Sequence, residues 1–368
     1  MHLIKFVDLG AQWQEQRDQL LPIIEGVLES GAYVDEQKVC EFEDSVSRFL
    51  NVKHVIGLNS GTDALVLGLK ALGVASGDEV ITPPNSFIAS TEAIEQVGAR
   101  PVFVDVLPDQ NIDPLLIEKA ITKNTKAIMP VHLTGRMADM ISIMGISKAY
   151  DIPVIEDAAQ AIGSKYADKF SGLWGKIGCF SAHPLKNLNA MGDSGFLVTD
   201  DDRIASEVRC LRNHGLVNRE TSERFGLVSR MDVLQASILE FRLGRLQDVI
   251  RKRRENADLY YATLSRKDVY VPPGRDLEFN TWHTFVIQTS RRDNLKDYLL
   301  EHNIETSIHY PIPIHLQPAA RKLGYDQGDF PKVEEQAKNI LSLPVHQYLA
   351  SNDIEYVATM VNKFFNRT

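Results

Sequence analysis

Residues 54–72 read "HVIGLNSGTDALVLGLKAL": a short apolar run, a turn at Asn59-Ser60-Gly61, and then apolar positions at helical spacing. A strand passes here into a helix, and the same unit recurs downstream. "DEVIT" (78–82) precedes "SFIASTEAIEQVG" (86–98), and "PVFVDV" (101–106) precedes "LLIEKAI" (115–121). "KAIMPVHL" (126–133) precedes "DMISIMGISKAY" (139–150), and "IPVIEDA" (152–158) follows. Strands alternating with helices at this spacing predict an α/β fold, with βα units around a mostly parallel sheet covered on both faces. Asp113 followed by Pro114 is a helix start, an N-cap acceptor before a residue of preset φ.

After residue 164 the strands shorten to "GCFSA" (178–182) and "GFLVTD" (195–200). One long helical region with a strongly basic end is then expected from Met231 to Leu264. "VPP" (271–273) and "GRDLEFN" (274–280) mark a break, after which "WHTFVIQT", a helix, a strand in "IETSIHY" (304–310) and two final helices read as a smaller α+β unit. The division expected is a large domain over 1–245, with an N-terminal helical segment, and a small domain over 246–368.

Composition narrows the class. The 368 residues are 44% hydrophobic and 24% charged, ordinary for a soluble globular protein. No apolar run approaches the roughly 20 residues of a membrane helix, and the opening "MHLIKFVDLGAQWQEQRDQL" turns polar too soon for a secretory signal. Cys40, Cys179 and Cys210 are too scattered for a disulfide framework or a metal cluster, so a reducing cytoplasm and no metal are expected. A net charge of −9 excludes a general nucleic-acid binder. It leaves room for an anionic small substrate where basic residues gather.

In open α/β sheets ligands sit beyond the carboxyl ends of the strands, so the polar residues that follow each strand carry the function. Ser60, Gly61 and Thr62 open a helix whose first N–H groups favour an anion, particularly a phosphate; a tight turn with an N-cap is the plain alternative. Phe87 in "PPNSFIAS" either packs in the core or stacks on a flat ligand. Glu156 and Asp157 end a strand that should be buried, where a carboxylate needs a partner. That partner is either an arginine or a protonated ring nitrogen, and Gln160 follows within hydrogen-bonding range of the same ligand. In "FSAHPLKN", Ser181 and Lys186 follow a strand expected beside that of Asp157. A lysine there, neutral through desolvation, can attack a carbonyl. A phosphate cradle, a stacking aromatic, a buried carboxylate and a lysine are together what pyridoxal 5′-phosphate requires.

With these residues in this order the chain resembles the DegT/DnrJ/EryC1/StrS family of fold-type-I sugar aminotransferases. The resemblance runs from "FVDLGAQW" and "SGAYVDEQKVCEFEDSVSRFL" through "SGTDAL", "GDEVITPPNSFIAS", "IPVIEDAAQAIGS" and "CFSAHPLKNLNAMGDSGFLVTDD" to "SRMDVLQASIL", "IHYPIPIHLQP" and "LSLPVH". It implies a seven-stranded sheet between helices. It implies that Lys186 carries the cofactor as a Schiff base and moves the substrate proton. By the same resemblance Asp157 pairs with the pyridine nitrogen, Gln160 lies near the 3-hydroxyl, Phe87 stacks on the ring, and Ser60, Gly61, Thr62 and Ser181 hold the phosphate. Family members work as homodimers with shared active sites, and often have asparagine before the "SR" of "SRMDVLQA"; here that position is Val228, with Asn218 and Arg219 as possible replacements from the same loop. Dehydratase relatives carry histidine where Lys186 stands, so transamination is implied.

The implied reaction takes nitrogen from L-glutamate to a keto-sugar on a nucleoside diphosphate, a 3-keto or 4-keto deoxysugar in amino-sugar or surface-glycan synthesis. Alternatives are a smaller phosphorylated or free ketose, or a regulator that binds the cofactor without turnover. Positive charge for a nucleotide-sugar is expected from Arg212, His214, Arg219, Arg224 and Arg230, and from His183, His309, Tyr310 and His315. For each arginine the competing expectation is a surface ion pair of little energetic weight.

Overall fold

The computed structural model describes residues 2–34 and 36–366. Helices α1 (Leu9–Ser30) and α2 (Glu36–Leu50) lead into β1 (His54–Leu58) and α3 (Gly61–Ala71). There follow β2 (Glu79–Thr82), α4 (Ile88–Gln96), β3 (Arg100–Phe103), α5 (Pro114–Ala120), β4 (Thr125–Ile128), α6 (Met140–Tyr150) and β5 (Ile155–Asp157). Asp113 caps α5 as its sequence predicts, accepting from Leu115 N–H with Pro114 at the first turn. Two-residue strands β6 (Lys165–Tyr166) and β7 (Lys169–Phe170) form a small hairpin before β8 (Ile177–Ser181), β9 (Gly195–Thr199) and α7 (Asp202–Leu211).

The four-strand run β1-β9-β8-β5 and the three-strand run β3-β2-β4 join through parallel bridges, Ile128 to Val154 and Val131 to Asp157, into one seven-stranded sheet. Only β9 runs against both of its neighbours, so the sheet is mostly parallel. Ala64 through Leu69 of α3 are buried without a break, as befits a helix held between the sheet and the helices outside it. With Ile56, Ile155 and Leu197 they form one core; Phe42, Phe180, Phe196 and Leu239 form the core on the opposite face. Each such fully buried aliphatic or aromatic side chain contributes about 1.5–3 kcal/mol.

The long helical region breaks in two, α8 (Val233–Leu243) and α9 (Leu246–Thr263), at Gly244 and Arg245. Glycine is a poor helix former, and the halves serve different partners: α8 packs on α1 and α2, α9 on α12 (Ser351–Phe365). Helix α9 passes from one core to another: Leu246 and Ile250 belong to that of Phe42 and Phe180, whereas Ala257 and Tyr260 pack with β11 (Phe285–Gln288), α10 (Arg292–Glu301), β12 (Ile340–Leu343) and α12. Strand β10 (Glu278–Phe279) pairs back to β6, and α11 (Pro331–Asn339) leads into β12. "IETSIHY" is not a regular strand. It is tied down by single bridges, Ile304 to Ile4 and Ser307 to Ser342, and the partner of β11 is β12 instead.

The N-terminal segment crosses between the domains. Ile4 N–H donates to Asn303 O at 2.8 Å, Phe6 stacks on His309 with ring centres 5.6 Å apart, and α1 then lies on the large domain. Among the described residues no helix is long and apolar enough to cross a membrane, and no cluster of three or more His, Cys, Asp or Glu is arranged to hold a metal.

Candidate active site

A cavity of about 330 Å³ opens where β1, β5 and β8 end, closed on the other side by residues of the small domain. A wider groove of about 970 Å³ lies elsewhere on the small domain, along Arg266, Tyr270 and Gln336, and contains none of the residues singled out by sequence.

The first wall is an anion cradle. Ser60 caps α3, its Oγ accepting from Asp63 N–H at 3.0 Å. Among the described residues the N–H groups of Gly61 and Thr62 find no protein acceptor, and both residues line the cavity. A Cβ on Gly61 would stand 2.7 Å from Ser181 Cβ, and one on Gly195 would stand 2.4 Å from Ser60 C, so the close approach of these turns admits only glycine. Ser194, whose buried Oγ has no partner among the described residues, lines the same cavity.

Asp157 ends β5, which pairs in parallel with β8, Asp157 opposite Cys179. The strands carrying Asp157 and Lys186 are therefore neighbours, as their short connection predicts. Asp157 is 5% exposed; its Oδ2 accepts from Ser90 Oγ at 2.6 Å and its Oδ1 from Ala159 N–H at 3.1 Å. Among the described residues no basic side chain reaches it at ion-pair distance, although Lys186 lies within electrostatic range. Glu156, pointing the other way, is satisfied within the protein by His132 Nε2 at 2.8 Å and by the N–H groups of Gly172 and Gly175. His132 Nδ1 accepts from Ala138 N–H, which leaves the ring proton on Nε2 to be donated to Glu156.

Lys186 sits on the turn after β8. Its surroundings bring the ammonium down from 10.5 to about 8; desolvation is the main cause, and the Asp157 charge opposes it. The turn is fixed from outside the cavity. Asn189 and Gln12 exchange amide hydrogen bonds of 2.9 Å, Asn189 Nδ2 also donates to Pro184 O, and Arg242 Nη1 donates to Asn189 O at 2.8 Å. The "GAQW" of the N-terminus thereby holds the lysine's turn.

Gln160 Oε1 accepts from Thr134 N–H at 2.7 Å, while its Nε2 reaches toward Tyr310 Oη at 3.5 Å. Phe87, at the start of α4, is exposed to the cavity and its ring centre lies 5.7 Å from that of Tyr310. Burial and the Asp157 charge push the Tyr310 phenol up to about 12. Burial and the nearby Lys186 bring His309 down to about 4, and its Nδ1 meets Ser342 Oγ at 2.9 Å. His183 lies exposed at the cavity's edge.

The remaining basic candidates lie away from the cavity lining. Arg212 is paired with Glu43 at 2.6 Å and donates to Gly57 O; Arg224 makes two 2.6 Å bonds to Glu207. Arg230 meets Asn213 Oδ1 at 3.4 Å, and His214 and Arg219 are exposed on the loop. His315 is 1% exposed and bonded to Glu334 at 3.1 Å, its ring against Phe330. Burial in that small cluster, not ligand contact, explains it. Val228 is exposed and backbone-paired with Asn213, and Asn218 Oδ1 is taken by the N–H groups of its own turn.

The cavity also holds residues not singled out by sequence: Ser90, Ser194, His283 and Arg253. Ser90 lies in "PPNSFIAS" and carries no charge to distinguish it, and Arg253 is hidden in the basic run "RKRR" (251–254).

The family model for DegT/DnrJ/EryC1/StrS aminotransferases matches residues 14–362. The dTDP-3-amino-3,6-dideoxy-alpha-D-galactopyranose transaminase of Aneurinibacillus thermoaerophilus is 40% identical over 365 residues, with 98% of this chain and 99% of that one covered. A pleiotropic regulatory protein of Geobacillus stearothermophilus is 38% identical over 366 residues, 98% of each chain. The solved structure of S. venezuelae DesV in complex with a ketimine intermediate covers 100% of both chains at 37% identity, with a TM-score of 0.98. The residues in the cavity fit a phosphorylated heterocyclic aldehyde: unpaired N–H groups in a glycine cradle, a buried carboxylate with no ion pair among the described residues, and an amine with lowered proton affinity. From nearly end to end, this chain is a member of the DegT/DnrJ/EryC1/StrS aminotransferase family, and its cofactor is pyridoxal 5′-phosphate.

Proposed function

We propose that this enzyme transfers an amino group from L-glutamate to a nucleotide-linked 3-keto or 4-keto deoxysugar, in amino-sugar or surface-glycan synthesis in the cytoplasm. The names of its transaminase relatives support a nucleotide-linked sugar. The observation that supports the site assignment is that one cavity holds both Lys186, brought to about 8, and Asp157, a buried carboxylate with no ion pair among the described residues.

Ser60, Gly61, Thr62 and Ser181 would hold the cofactor's phosphate, Asp157 its ring nitrogen, Gln160 its hydroxyl and Phe87 its face, with Lys186 as the covalent anchor. Bound there, the cofactor supplies an electron sink for the carbon that bears nitrogen. The protein's part is to move protons and fix orientation. Lys186 Nζ takes the proton from the donor's α-carbon and gives one to the sugar's former keto carbon, a task suited to an amine near working pH. Ser90 Oγ–H and Ala159 N–H fix the orientation of the Asp157 carboxylate. His183, His309 and Tyr310 line the path of the sugar.

A cavity of about 330 Å³ is at the small end for ligand sites, so the nucleotide extends past its mouth. A homodimer is part of this reading: Phe225, Leu227, Val228 and Val217 expose an apolar face on the 216–230 loop.

The test is in two halves. L-Glutamate should bleach the cofactor band of the purified enzyme, and a panel of nucleotide-linked 3-keto and 4-keto sugars, read by mass, should restore it with a gain of one amine. Restoration only by small phosphorylated or free ketoses would move the enzyme to that substrate class. Failure of every amino donor to bleach the band would overturn transamination.

A further inference from the structure

The turn of Lys186 has a support besides Asn189. The residue after the lysine, Asn187, is 8% exposed, and its Nδ2 donates to Thr281 O at 3.0 Å. Turning the amide over would set oxygen against oxygen, so the donor faces Thr281, and Oδ1 is left buried without a partner among the described residues. Of the side chains on this turn, Asn187 is the one that bonds to the small domain among the described residues; Asn189 and His183 bond within the large one. Thr281 opens the segment that carries His283 to the cavity. Its N–H donates to Gly135 O at 3.2 Å, its Oγ1 meets Ser164 Oγ at 2.9 Å, and Thr284 N–H donates to Thr134 O at 3.3 Å. Trp282, between them, has a φ of 49°, a conformation that costs a bulky residue about 1–3 kcal/mol and persists only where its surroundings hold it. Its ring packs on Tyr261 and Phe285 of the small domain. The segment is therefore held in shape from both domains at once.

Desolvation is what lowers the proton affinity of the Lys186 amine, and His283 of this segment stands within electrostatic range of it. Whatever seats the segment against the lysine's turn thus governs how dry the amine is. We propose that Asn187 is a positioning residue, whose bond to Thr281 seats segment 281–284 against the lysine's turn and so keeps water from the Lys186 amine. This rests on the reading of Lys186 as the covalent anchor. The charged and titratable groups that share the amine's cavity are Asp157, Asp193 and His183 of the large domain, and Arg253, His283, His309, Tyr310 and His346 of the small one. Substitution of Asn187 leaves all of them in place, so a change in the amine's proton affinity reports admitted water rather than a lost charge.

The experiment uses the full-length protein, stripped of cofactor and then given pyridoxal 5′-phosphate. Covalent capture, in which the neutral amine adds to the aldehyde carbon and the aldehyde oxygen leaves as water, is followed by absorbance at several pH values. Asn187→Ala should slow capture about three- to tenfold near pH 7 and less than about twofold near pH 10, because a wetter amine keeps its proton toward the ordinary 10.5. Asn187→Ser should behave alike. Ser164→Ala cuts the other side-chain tie of Thr281 and leaves the lysine's turn untouched; it should lower the melting temperature without changing the ratio of the two rates. In the wild type, capture should slow amide exchange across 281–284, since coupling between two sites is reciprocal, and this reads the tie even if both Asn187 variants fail to fold. Equal slowing of Asn187→Ala at every pH, the same pH-selective loss in Ser164→Ala, or unchanged exchange across 281–284 would overturn the proposal. A wild type in which borohydride fixes no cofactor on Lys186 would instead sink the site reading itself.

Discussion

On the large-domain side of the cavity each reactive group stands at a strand end or in the turn after it: Asp157 closes β5, Ser181 closes β8, and Ser60 to Thr62 follow β1. On the small-domain side the groups come from α9 and from irregular segments, with His283 between β10 and β11 and His309 with Tyr310 between α10 and α11. The first wall is set by sheet register, in which a one-residue slip turns every side chain to the wrong face. The second is set by loops, where side chains are replaced at little cost to the fold. The contrast predicts a division of labour, with proton chemistry on the sheet side and choice of substrate on the loop side.

Substitutions on the two walls should therefore differ in kind. The largest effect is expected from Lys186→Ala, which should slow single-turnover transamination by about 10³-fold with the fold intact by circular dichroism. In the wild type, cofactor uptake by the stripped protein should quicken as pH rises through about 8, where the amine becomes neutral. Asp157→Asn should follow with a loss of about 10²-fold in the same assay, the scale of a lost hydrogen bond to a charged group. A loss as large from His309→Gln would erase the contrast.

Gly61→Ala tests the cradle, since its Cβ would meet Ser181 Cβ at 2.7 Å. It should weaken cofactor binding by about tenfold in equilibrium dialysis, through a steric cost of about 1–3 kcal/mol. Asn189→Ala, outside the cavity, should lower unfolding free energy by about 1–3 kcal/mol in a urea titration. It should reduce kcat while leaving the donor's KM unmoved. The smallest effect is on acid stability. His309 and His346 are both held near 4 in the fold, chiefly by desolvation, against an ordinary 6.5. Below 6.5 the unfolded chain takes up protons that the folded chain refuses, so stability is lost as pH falls from 6.5 toward 4. The melting temperature should drop over that window, and drop less in His346→Gln.

The first wall was legible because strand periodicity fixes which residues follow a strand, and function needs polar groups there. The second was half legible. "IHYPIPIHLQP" presents two histidines, and only His309 reaches the cavity; His315 turns into a cluster with Glu334 that no local pattern announces. In "RKRR", Arg251 and Lys252 are exposed and Arg254 lies over Phe279, so helix phase against both cores decides that Arg253 alone is buried. The loop arginines misled for a similar reason. Arg212 and Arg224 are answered by Glu43 and Glu207, acids that fold next to them from α2 and α7.

The N-terminal segment, anchored at Ile4 to one domain and through Gln12 to the turn of Lys186 on the other, lines the cavity with Phe6 and Val7, Phe6 lying against His309. A chain clipped after Val7 would retain every atom needed for proton transfer. It would nevertheless lose the cord that reports the position of one lobe to the lysine's support in the other, so clipping should broaden substrate choice before it abolishes chemistry.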